Sequence, residues 1–167
     1  MRDVFVSKPS ALADYQQNFW EKLKARLEAR GINPRTVGAT DYPSNAPVGK
    51  VKEVMNECHG AIILGLKQIR IMEGAAKEGT DKQEPLAEYL LPTAWNHIES
   101  GMAFALGLPI LIVKEAGISG GLFEKGASEK YIHEVTLPGD EWLDSKGFLQ
   151  PLNNFVGDVS IHKDQSR

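Results

Sequence analysis

The amino-acid sequence predicts an α/β fold, a doubly wound, about five-stranded parallel sheet with helices on both faces. Two observations predict it. Short β-branched or aromatic runs alternate along the chain with stretches of helical period. Residues 61–64 and 109–113 are continuous apolar runs, as in parallel strands buried on both faces.

Val4, Phe5 and Val6 form the first strand, stopped by Pro9. A helix over residues 11–30 follows, because Leu12, Tyr15, Phe19, Leu23 and Leu27 recur at three- and four-residue spacing. Ser10 is placed to cap its start and Gly31 to end it. Residues 34–37 read as a weak second strand. Residues 47–58 read as a second helix, with Val48, Val51, Met55 and Cys58 on one face. The third strand is the apolar run 61–64. Residues 67–92 are polar and show no clean period. A segment that long inside a compact domain is usually functional or mobile, which makes it a candidate lid. A third helix spans 93–106, and 109–113 is the next strand. The loop Gly117, Ile118, Ser119, Gly120, Gly121 comes after it. A weak strand at 132–137 precedes a final amphipathic helical segment carrying Trp142, Leu143, Phe148, Leu149, Leu152 and Phe155. Residues 1–157 are expected to form one domain, with 158–167 a flexible tail.

Five strands in a flavodoxin-like order place a ligand at their carboxyl ends, near the switch point. Ser7, Lys8 and Pro9 should meet there with the segment holding Asp41 and Tyr42, with Gly65 to Arg70, and with the loop at 114–121. The start of the third helix, with Trp95 and Asn96, lies at that edge as well.

Composition narrows the function classes. Nineteen basic against 22 acidic residues give a net charge of −3, which argues against a general binder of nucleic-acid backbone. The single cysteine, Cys58, cannot form an internal disulfide, so a reducing cytoplasm is expected. The N-terminal apolar run is too short for a signal sequence. The most apolar stretch, 101–113, falls short of the roughly 20 residues a membrane helix needs. A soluble cytoplasmic protein without nucleic-acid or membrane partners is expected. The first strand is followed by Ser7-Lys8-Pro9-Ser10-Ala11 and not by the G-x-G-x-x-G of a dinucleotide fold. No P-loop, nucleophile elbow or zinc spacing occurs, so no metal and no bound cofactor are expected.

The informative segment is the third helix. At 100° per residue, Trp95, Met102, Ala103 and Leu106 fall within about 40° of Glu99. The carboxylate therefore lies within an apolar stripe. Ala94, Ile98, Gly101 and Ala105 make a second, small face suited to close backbone approach. Asn96, His97 and Ser100 form the polar sector. A glutamate so placed is costly to bury unless paired, protonated or lining a cavity. It is either a core-edge partner of Lys8 or Arg70, or a catalytic carboxylate at the floor of a pocket.

Glu99, Gly101, Ala103, Ala105, Gly107 and Pro109 resemble the E-x-G-x-A-x-A-x-G-x-P segment of the nucleoside 2-deoxyribosyltransferase family. Trp95 and Glu99 resemble the W-x-x-x-E arrangement of TIR domains. The resemblance implies that Glu99 attacks or stabilises the anomeric carbon of a nucleoside or nucleotide. NAD is then a possible substrate, beside a nucleoside monophosphate, and not a cofactor. It also implies a homo-oligomer. Thr93 stands where deoxyribosyltransferases usually carry an aspartate, and the loop Ser7-Lys8-Pro9 lacks that family's glycine. These departures favour N-glycosidic cleavage through Glu99 over deoxyribosyl transfer, with a non-catalytic nucleotide-binding module as a further alternative. In this reading Lys8 and Arg70 hold phosphates, Trp95 stacks on a base or walls the pocket, and Asn96 meets ribose hydroxyls. Asp41 and Tyr42 contact base or sugar, or merely shape the Asp-Tyr-Pro turn.

Overall fold

The computed structural model describes residues 1–38, 41, 47–139 and 141–162. Its centre is a five-stranded parallel sheet of β1 (Arg2–Ser7), β2 (Ile32–Arg35), β3 (Ala61–Gly65), β8 (Ile110–Glu115) and β9 (Ile132–Val135), in the order β2-β1-β3-β8-β9. This is the expected doubly wound, flavodoxin-like arrangement. The strand order reverses direction between β1 and β3, which makes that the switch point. Helices α1 (Asp14–Glu28) and α4 (Lys146–His162) cover one face. Helices α2 (Pro47–Glu57) and α3 (Ala94–Ala105) cover the other.

The alternation of side chains along each strand divides the core in two. Val4, Val6, Ile62, Leu64, Leu111 and Val113 face α1 and α4. Phe5, Ala61, Ile63, Ile110 and Ile112 face α2 and α3. Cys58 lies in the second layer, as its helix face suggests. No helix among the described residues is long and apolar enough to cross a membrane.

The elements differ from the sequence expectations at their edges, for local reasons. Helix α1 starts at Asp14, not after Ser10. Gln16 Oε1 accepts from the Ala13 N–H at 3.0 Å and supplies the cap. Gly31, at φ 76°, closes the turn after this helix, in the left-handed region that glycine enters cheaply. β2 begins two residues early because its pairing runs from Arg2↔Ile32 to Phe5↔Arg35. Pro34 is tolerated there because β2 is an edge strand. On α2, Val54 joins Val51 and Met55 in the core, whereas Val48, in the first turn, is exposed. The expected tail from residue 158 is instead helical to His162, and Val159 is fully buried.

Residues 67–92 form a β arm. β4 (Ile69–Ile71) pairs with β7 (Tyr89–Leu91), and β5 (Gly74–Ala76) pairs with β6 (Glu84–Leu86), both antiparallel. Each strand is three residues long, too short for alternation to be legible. The arm is anchored at its root. Glu115, fully buried at the end of β8, accepts from the Lys67 backbone N–H at 3.0 Å, Gln16 Nε2 at 2.9 Å and the Tyr15 hydroxyl at 3.1 Å. Lys67 Nζ lies 3.5 Å from the same carboxylate.

Candidate active site

Glu99 projects from the second turn of α3 towards the carboxyl end of β1. Thr93 caps the helix: its Oγ1 accepts from the Asn96 N–H at 3.3 Å. Asn96 is fully buried and ties the helix to the sheet. Its Nδ2 donates to Ser7 Oγ at 2.8 Å, to Leu64 O at 3.2 Å and to Ser7 O at 3.4 Å. The Ser7 oxygen thus takes its hydrogen bond from Asn96, which leaves the hydroxyl proton for an acceptor. The Glu99 carboxylate is the charge that this hydroxyl stabilises. Burial drives the Glu99 carboxyl up to about 7, and the hydrogen bond from Ser7 opposes the rise.

Neither conventional ion-pair partner reaches Glu99. Arg70 pairs with Glu88 across the arm at 2.9 Å. Lys8 Nζ donates to Pro9 O at 3.3 Å and stands 5.6 Å above the Trp20 ring. Lys8 is half-buried, and desolvation lowers its pKa, partly offset by the charge of Glu21. A carboxylate that is 8% exposed with a single hydroxyl donor is an expensive arrangement for a purely structural residue. Perturbed carboxyls of this kind cluster at functional sites.

The sequence-derived residues separate into three groups. Ser7, Asn96 and Glu99 come together at the end of β1. Asn96 is not a surface group waiting for ribose. It is enclosed and fully engaged in positioning Ser7, because the polar sector of α3 lies over the strand ends and satisfies their backbone. The small face of α3 also departs from expectation. Ala94, Ile98, Gly101 and Ala105 are exposed, and the side meeting the sheet carries Asn96, Glu99, Ser100 and Ala103.

Trp95 and Lys8 flank this centre. Trp95 is 40% exposed, so it is not a core residue. Pro9 is buried beside them.

The third group lies outside the centre. Gly65, at the end of β3, serves packing: a Cβ there would stand 2.5 Å from the Phe123 ring. Asp41 is bound to Arg35, with Oδ2 3.2 Å from Nε and Oδ1 on the second guanidinium nitrogen. Asp3 and Glu57 complete that cluster at 3.4 and 2.6 Å from Arg35 Nη1. Arg70 lies on the arm. Tyr42 lies outside the described residues.

The glycine loop is not an open anion cradle. The Ile118 N–H goes to Glu115 O at 3.1 Å, Ser119 N–H to Leu90 O at 3.4 Å, and Gly120 N–H to Glu124 Oε1 at 2.7 Å. Its job is to seat the arm. Gln16, Lys67 and Glu115 were not legible as a cluster in the sequence. An acidic residue closing a strand that opens with four apolar residues is the one available signal. Among the described residues no group of three or more His, Cys, Asp or Glu is placed to hold a metal ion.

No protein-family model and no curated protein sequence matches the chain. Among solved structures it is similar to the Clostridium botulinum CMP N-glycosidase BcmB, with 16% sequence identity, 91% of this chain and 98% of that chain covered, and a TM-score of 0.51. At that identity the likeness establishes a shared fold along nearly the whole of both chains.

Proposed function

We propose that the protein is a nucleotide N-glycosidase that cleaves the base–sugar bond of a nucleoside monophosphate through Glu99. The observation that carries this reading is the nearly buried Glu99 carboxyl beside Ser7 at the switch-point edge, with no cation among the described residues paired to it. Breaking the C1′–N bond sends the bonding electrons to the base and leaves positive charge on the sugar. A carboxylate at C1′ stabilises that charge or traps it covalently. Water then supplies the hydroxyl at C1′, and the departing base nitrogen takes up a proton.

The similarity to a CMP N-glycosidase favours a nucleoside monophosphate over NAD. Ser7 orients the carboxylate, and Asn96 orients Ser7. Trp95 offers a ring face for the base. Lys8, with no carboxylate bonded to it, is the group for the phosphate. Chromatography of the products tests the reading. Base and free sugar phosphate should appear from a nucleoside monophosphate in water alone. A product formed only when a second base is supplied would mark a transferase. Binding without product would mark a nucleotide-binding module.

A further inference from the structure

A cleft lies at the β9 edge of the sheet. It has a volume of about 690 Å³ and wraps the outer edge of β9, two strands from β3. Neither Ser7 nor Glu99 lines it. Its wall is a run of three aromatic rings. The Tyr131 ring is centred 4.7 Å from His133, and His133 lies 6.3 Å from Trp142. Tyr131 is 77% exposed although its neighbour His133 is buried. A large aromatic ring exposed to that degree beside a cleft presents an unused stacking face.

Cations stand at the rim. Lys125 and Lys130 both line the cleft and both are exposed. Among the described residues neither has a carboxylate partner, whereas the third lysine of the cleft, Lys114, is held by Glu134 at 3.3 Å and by Ile118 O at 2.9 Å. Burial lowers the His133 pKa, so its ring is neutral near pH 7 and keeps one acceptor nitrogen. The wall is therefore aromatic with a neutral hydrogen-bonding ring, and the uncommitted charge at the mouth is positive. A neighbouring hollow of about 490 Å³ shares Lys130, Tyr131, His133 and Gly147 with it. A volume of this size fits a small organic ligand.

We infer that this edge cleft is a second ligand site, separate from Glu99, that takes a flat aromatic ring bearing a phosphate, the chemistry of a nucleoside monophosphate. The ring stacks on Tyr131 beside His133 and Trp142, and the phosphate is held by Lys125 and Lys130. Both parts of the ligand are needed. Two exposed lysines alone hold phosphate weakly, and an exposed tyrosine alone holds a base weakly.

The histidine ring signals report on this directly. In the Glu99→Gln protein, chosen to keep nucleotide intact, the Cε1–H resonance of His133 is assigned by its loss in His133→Gln and followed by ¹H–¹³C correlation NMR. CMP, AMP, cytidine and inorganic phosphate are titrated separately. The His133 signal should move saturably with at least one nucleotide, and about ten-fold more weakly with cytidine or phosphate. Tyr131→Ala and the double variant Lys125→Glu/Lys130→Glu, all at exposed positions, should each weaken that response about ten-fold. A His133 signal that is unmoved by millimolar nucleotide, moved equally by phosphate alone, or moved identically in the variants would overturn the inference.

Discussion

Glu99 sets the pH behaviour of the molecule. Its carboxyl sits at about 7 because burial penalises the charged form. The proposed chemistry needs the ionised form, so kcat/KM should rise about ten-fold per pH unit below 7 and level off above it. A pH–rate profile checks this. Stability has the opposite sign. Between 4.5 and about 7 the folded protein holds a proton that the unfolded chain has released, so the stability of the fold falls as pH rises through that window. A carboxyl moved from 4.5 to about 7 corresponds to roughly 3 kcal/mol at most. Glu99→Gln should therefore raise the Tm at pH 8 by several degrees and change it little at pH 4.5. Thermal unfolding at the two pH values measures the difference. Lys8→Met should raise KM for a nucleoside monophosphate about ten-fold or more and leave the corresponding nucleoside unaffected, because only the nucleotide presents a phosphate to the ammonium.

Elements show where sequence periodicity succeeds and where it stops. The apolar run at 61–64 and the three- and four-residue spacing in 11–30 identified β3 and α1, since each repeats over enough residues to outweigh local exceptions. The same reasoning placed Glu99 on an apolar stripe, and the structure buries it. It misplaced the small face of α3, because periodicity reports angular position and not which side the sheet occupies. Asn96 belonged to the polar sector and is nonetheless buried, since strand-end carbonyls want donors as much as water does. Three-residue strands escape pattern reading altogether, so the arm at 67–92 was legible only as a break in period. Glu115 anchors that arm through a contact between residues far apart in sequence. Glu115→Gln should loosen it selectively, seen as faster hydrogen exchange at residues 67–91 with less change in β1 and β3. Gly65→Ala should cost about 1–3 kcal/mol in urea unfolding, because the added methyl drives Phe123 out of its packing.

At the scale of the whole molecule, the doubly wound sheet does two things for the chemistry. It brings the end of β1 and the first turn of α3 together across 89 residues of sequence separation, seen in the Asn96–Ser7 bond. It also removes water from the carboxyl without supplying a counter-charge. The net charge of −3 gives no general attraction for an anionic substrate, so binding rests on a few local groups of which Lys8 is the nearest to Ser7 in sequence. The most direct measurement of the central claim is base release from a panel of nucleoside monophosphates, followed by chromatography, for the natural protein and for Glu99→Gln shown to be folded by circular dichroism. The natural protein should release base from at least one of them, and Glu99→Gln should lose at least about a hundredfold in rate. Base release at an unchanged rate in Glu99→Gln would contradict the account.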